Sequence, residues 1–115
     1  MQCRLLLITA LVFALMMGAL ATPKHLVTFM KTYPSPKDSA LGKAKCVTCH
    51  VKGKELNAYG KDLDKAMKDR KTKDLTADIM KSVENLDSDK DGVSNGDELK
   101  AGTLPADSKS KPAGK

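Results

Sequence analysis

Aromatic side chains are almost absent from this 115-residue chain: there is no tryptophan, and two tyrosines with two phenylalanines make up 3% of it. Phe13 belongs to an apolar N-terminal run, which leaves Phe29, Tyr33 and Tyr59 to build a core. A domain this small buries too little surface to be comfortably stable on protein contacts alone, so something beyond the side chains must complete its interior. Cysteine is also scarce, at three residues. Beyond the N-terminal run, no segment approaches the ~20 apolar residues that a membrane span needs. No internal repeat is evident.

The start of the chain carries Arg4, then Leu5-Leu6-Leu7-Ile8 and Leu11 to Met17, and closes on the small-x-small site Ala19-Leu20-Ala21. This is the pattern of a cleaved secretory signal peptide over residues 1–21. It predicts export to the periplasm or cell exterior and a mature chain without a stable membrane span. Cys3 precedes the apolar core, in the wrong place for a lipid-modified cysteine, and leaves with the peptide. The mature chain then holds two cysteines, Cys46 and Cys49.

A helical domain is expected over 22–104. Leu26, Phe29, Met30 and Tyr33 recur at helical spacing from Lys24 onward, and Pro34 and Pro36 end that helix. Asp38 or Ser39 caps a second short helix. A third carries Leu63, Ala66 and Met67 on one face. A fourth runs from about Leu75 to Leu86, with Ile79, Met80, Val83 and Leu86 inward and Asp74 or Thr76 near its start. The expected fold class is all-α, a small bundle with short connections. Residues 105–115 are Lys, Ser, Pro, Ala and Gly with a single Asp107, and predict a disordered tail.

The most informative stretch is Cys46-Val47-Thr48-Cys49-His50. This is the attachment signature of a c-type haem, in which two thiols take the vinyl groups and the following histidine ligates iron. The competing reading of such a pair is a disulfide or a thioredoxin-like dithiol. A dithiol of that kind calls for a strand before it and a helix after it. Here the flanks are lysine-rich, strand-like alternation is absent, and His50 has no role in that scheme. A covalent haem also supplies the apolar interior that the side chains do not. Histidine or methionine ordinarily completes the iron, and His25, the only other histidine, shares its helix with Leu26, Phe29 and Met30. Met80, on the inward face of the fourth helix, is the rival ligand, with plain core filling as its other reading. Met30 and Met67 are weaker rivals. Tyr59 and Asn57 are expected to reach a haem propionate or backbone carbonyls, or else to be turn residues.

A second site is written in Asp87-Ser88-Asp89-Lys90-Asp91-Gly92-Val93-Ser94-Asn95-Gly96-Asp97-Glu98. Residues 87–98 follow the twelve-residue calcium-loop arrangement. Asp87, Asp89 and Asp91 supply alternate carboxylates, Gly92 the sharp turn and Val93 a backbone carbonyl. Asn95 stands at the ninth position and Glu98 closes the loop. Without a cation so many carboxylates repel one another, which weighs against a merely solvated acidic loop. Ser94 stands where paired hands place an apolar residue and no second hand exists, so one calcium is expected to be structural rather than signalling.

Up to about Asp107 the chain resembles small monohaem c-type cytochromes of periplasmic or outer-surface electron transport, in particular those of metal-respiring bacteria. The residues carrying the resemblance are Cys46 to His50, Leu56-Asn57-Ala58-Tyr59-Gly60 and the Asp-rich loop. The stretch from Asp87 to Glu98 with Gly102-Thr103-Leu104-Pro105 also resembles thrombospondin type 3 calcium repeats. From ordinary soluble class I cytochromes the chain departs by its short segment after the haem motif and its missing late methionine loop. That departure favours His25 over Met80. The resemblance implies a cytochrome c-like helical domain around one haem c, and an electron carrier rather than an enzyme. A haem-based sensor or small-ligand-binding protein is the alternative. The chain has a formal charge of +6; removal of Arg4 leaves 19 basic against 14 acidic residues. Lysines at 43, 45, 52, 54, 61, 65 and 68 are placed to steer acidic or anionic redox proteins. Self-association of haem against haem is left open by the residues. With no recognisable binding module, a nucleic-acid role is not expected.

Overall fold

The computed structural model describes residues 24–112. The expected signal peptide with Cys3, and residues 113–115, lie outside them. Helix α1 spans Lys24–Thr32, α2 Ala40–Ala44 and α3 Ala58–Asp69, followed by α4 Ala77–Ser82 and α5 Asn95–Ala101. Between α2 and α3 come a 3-10 turn, Lys45–Thr48, and two short strands, β1 His50–Lys52 and β2 Glu55–Leu56. Among the described residues, no helix is long and apolar enough to cross a membrane.

The expectation of an all-α domain is therefore corrected: among the described residues, five helices accompany a two-stranded antiparallel sheet. His50 pairs with Leu56 and Lys52 with Glu55, with an irregularity in register between His50 and Lys52. Gly53, at φ 55°, makes the reversal, a backbone region that costs glycine little. Strands of three and two residues are too short for period-two alternation to register in a sequence.

Capping sets most of the helix starts. Ser39 accepts from the Gly42 amide at 3.0 Å, Asn57 from Gly60 at 2.9 Å and Thr76 from Ile79 at 3.3 Å. Each oxygen satisfies one of the orphan amides of a first turn. Helix α4 ends at Ser82, and the chain continues in tighter turns in which Val83, Glu84 and Leu86 each donate to the residue three before. Ile79, Met80 and Val83 face inward as expected, but this tightening rotates Leu86 off that face and leaves it 45% exposed.

The core lies between α1, α3 and α4. Phe29 meets Tyr33 at 5.5 Å and Tyr59 edge-on at 6.4 Å between centroids, with Leu63, Ile79 and Met80 buried beside them. The expected disordered tail is ordered as far as it is described. Pro105 is fully buried, Leu104 and Ala106 pack on the core, and the Ser110 hydroxyl accepts from the Leu104 amide at 3.1 Å. Three apolar residues, Leu104 to Ala106, give this segment something to bury.

Helix α3 approaches the Cys49 main chain closely. A Cβ at Gly60 would stand 2.2 Å from the Cys49 carbonyl oxygen. Gly60→Ala must push the two segments apart and is expected to cost about 1–3 kcal/mol, read as a lower melting temperature; an unchanged melting curve contradicts the close approach.

Candidate functional site

The Cys46-to-His50 segment is held by its main chain. The Cys49 amide donates to the Cys46 carbonyl at 3.2 Å, a three-residue turn that brings both cysteines to one side. Asn57 ties this turn to the start of α3. Its Nδ2 donates to the Val47 and Thr48 carbonyls, both at 3.0 Å, and its backbone amide to Cys49 at 2.9 Å. Asn57 thus reaches backbone carbonyls, one of the roles foreseen for it, while its Oδ1 caps α3. Lys45, just before Cys46, has φ 48° and ψ −114°, a sparsely populated conformation of the kind that collects at functional sites.

Cys46, Cys49 and His50 border a cavity of about 490 Å³. Leu26 and Phe29 of α1 line one side, and Gly60, Leu63 and Met67 of α3 another, with Leu56 and Leu75 closing it. His25 also lines it, so the two histidines of the chain, far apart in sequence, open onto one space. Met80 does not: it is fully buried within the core and absent from the cavity wall. The reason is local, since the inward face of α4 packs against α1 and α3. Tyr59 is likewise fully buried and lines no part of the cavity, and its hydroxyl reaches no backbone carbonyl or other partner among the described residues. Its ring backs the wall through Phe29. Thr48 and Leu75 also line the cavity and were not expected to, because Thr48 is an unspecified position between the two cysteines and Leu75 stands in no motif.

The thiols are not those of a reactive dithiol. Both are free, and burial, then the neighbouring Cys46, pushes the Cys49 thiol up to about 11. A redox dithiol needs the opposite shift, ordinarily supplied by a helix N-terminus, whereas Cys49 is followed by a strand. The set suits a haem: two free thiols, an apolar space and two imidazoles. His50 Nδ1 is buried with no hydrogen-bond partner.

In the acidic loop, Asp87, Asp89 and Asp91 each bring a carboxylate oxygen within 4.8 Å of the others. Two more buried oxygens, Asp89 Oδ2 and Asp91 Oδ2, have no partner. Glu98, from the first turn of α5, is fully buried, and no donor reaches either of its oxygens. Desolvation first, then Asp89 and Asp91, pushes Glu98 up to about 8. Desolvation, with a hydrogen bond to Asp87, carries Asp89 to about 6. Buried carboxylates without donors fit a hard cation. The Val93 side chain is buried and its amide donates to Asp91 Oδ1 at 2.8 Å. Asn95 departs from its expected role as a ligand. Its Oδ1 accepts from the Ser88 amide at 3.1 Å, and its Nδ2 donates to the Val83 carbonyl at 3.0 Å and to Ser88 Oγ at 2.8 Å. Every polar atom of that amide braces the loop against the end of α4. Ser88 Oγ in turn donates to Asp62 Oδ2 of α3 at 2.6 Å, a link that no spacing rule announces.

The chain matches no protein-family model, no curated protein and no solved structure.

Folded-state values above the ordinary 3.8 of Asp89 and 4.5 of Glu98 mean that the metal-free fold holds protons which the unfolded chain releases. That contribution is complete below about pH 4 and lost as pH rises through about 6 and then about 8. In chelator, the melting temperature is expected to fall between those limits. Calcium at pH 8 restores it, and Glu98→Gln removes the upper part of the fall and weakens the response to calcium. A flat profile in chelator is the contrary result.

Proposed function

We propose that this chain is an exported electron carrier built around one covalent c-type haem and fastened by one calcium ion. The observation that carries the reading is the convergence of Cys46, Cys49, His50 and His25 on a single apolar cavity. Cys46 and Cys49 would supply the thioether links, and His50 and His25 the nitrogens that hold the iron. When bound, the haem supplies a one-electron iron couple. The protein's contribution is to hold and shield. Phe29, Leu63 and Leu75, each buried, exclude water from one side, which keeps the environment of the iron constant between oxidation states. The carboxylates of the acidic loop hold the calcium, which ties the end of α4 to α5.

Encounter with partners falls to the surface around the motif. Lys24 and Lys45 border the cavity, and Lys43, Lys45, Lys52 and Lys54 alternate with Val47 and Val51, which are 59% and 60% exposed. Positive charge at the mouth favours acidic redox proteins by steering, with rates that fall as salt rises. Small apolar contacts with a charged rim suit short-lived complexes.

Expression with a cytochrome-maturation system tests this directly. The expected product keeps its pigment in acidified acetone and gives a low-spin spectrum without a methionine–iron band. Cys46→Ser with Cys49→Ser abolishes attachment. His25→Ala converts the iron to a form that binds added imidazole or carbon monoxide readily, while Met80→Leu leaves the spectrum in place. A colourless product from a competent host refutes the haem reading; an unchanged spectrum in His25→Ala refutes its second ligand.

A further inference from the structure

Helix α3 ends in a built turn that reaches His25. After Asp69 the chain reverses through Lys71, at φ 55°. The Lys71 amide donates to Lys68 and the Thr72 amide to Met67, both at 3.0 Å, the paired bonds of a left-handed helix terminator. Thr72 Oγ1 then accepts from the Asp74 amide at 3.1 Å. That amide shares one peptide plane with the Lys73 carbonyl. Among the described residues there is no cis peptide bond, and in a trans plane N–H and C=O point opposite ways. Holding the Asp74 N–H against Thr72 therefore fixes the direction of the Lys73 carbonyl.

That carbonyl lies 3.1 Å from His25 Nε2. A carbonyl only accepts, so the contact requires the proton on Nε2 and leaves the lone pair of the neutral ring on Nδ1. The same two pairs of residues are joined again by Lys24 Nζ and Asp74 Oδ1 at 2.7 Å. Both partners of that ion pair are largely exposed, so it adds little by itself; the peptide plane is the principal restraint. One residue further on, Leu75 lines the cavity together with His25.

We infer that the Thr72–Asp74 turn is a positioning clamp for His25, selecting the ring tautomer whose Nδ1 is free to ligate iron. The inference rests on the haem reading above and deepens it. An imidazole that ligates a metal commonly gives its other N–H to a carbonyl, which sets ring orientation and raises basicity. Here that carbonyl is supplied by a turn 48 residues away in sequence. Thr72 acts through His25 and touches no bound group.

Carbon monoxide must displace the sixth ligand of the reduced holoprotein, so its apparent affinity reads how firmly His25 is held. Thr72→Ala removes the acceptor and is expected to raise that affinity about two- to tenfold, the span of one neutral hydrogen bond. Thr72→Ser restores the wild-type value. In a His25→Ala background Thr72→Ala adds nothing, since the two act as one unit. An unchanged affinity in Thr72→Ala, where His25→Ala alone raises it, overturns the clamp and leaves the haem reading intact. Should Thr72→Ala not fold, Thr72→Val, which keeps the side-chain shape and removes the acceptor, carries the same test, with the same rise expected and no rise overturning it. The haem-free chain offers an independent check: nitrogen chemical shifts of His25 are expected to report the Nε2–H tautomer, and an Nδ1–H tautomer overturns the clamp whatever the fate of the haem reading.

Discussion

The Cys49 carbonyl is where the two halves of the molecule meet. It accepts the Asn57 amide at 2.9 Å and lies so close to Gly60 that only a residue without a side chain fits opposite. Through this contact the cysteine turn is seated on the start of α3, and the cavity opens between that seat and α1. The hairpin exists to make the connection: β1 leaves Cys49 through His50, and β2 returns to Asn57. If the two segments stood farther apart, His50 would no longer share a wall with Leu63 and Met67. Geometry at one carbonyl thus governs the shape of the site, although none of its atoms takes part in the proposed chemistry.

The acidic loop obeys a different logic. Its carboxylates are brought together by short-range hydrogen bonds to main-chain amides, Asp87 Oδ2 to Gly92 at 2.8 Å among them, while Glu98 is delivered from behind by α5. Repulsion among these groups is relieved either by protons or by a cation, so the region is the most condition-dependent part of the fold. Ser88 and Asn95 carry its influence outward, one to Asp62 of α3 and the other to Val83 at the end of α4. Since α3 also bears Leu63 and Met67, the loop and the cavity share one structural element. The loop is a fastener set at the far side of the same helix.

Much of this was legible in the sequence, and what was not has physical reasons. The helices follow apolar spacing and capping residues, both of which are local: Ser39, Asn57 and Thr76 each start a helix by bonding an amide three residues on. The motif from Cys46 to His50 and the loop from Asp87 to Glu98 are also local, and each stays together in space. The hairpin was not visible because five strand residues carry no periodic signal. Met80 and Asn95 show what spacing leaves open. A position in a pattern fixes which residue is near, not which way its side chain turns. Met80 turns to the core and the Asn95 amide to the Val83 carbonyl. The contact of His25 with Lys73 depends on a peptide plane set by Thr72, and such long-range pairings have no signature in spacing at all.

One contact near the end of the chain bears on how the molecule closes. The Leu41 amide, at the start of the short helix that leads to Cys46, finds its acceptor in the Gly102 carbonyl at 2.9 Å, and Pro105 is sealed in place just beyond. The helix that leads into the cysteine turn is thus seated by a segment far along the chain. It takes its native hydrogen bond only when that distant carbonyl is in place, so the two ends of the described fold close on each other.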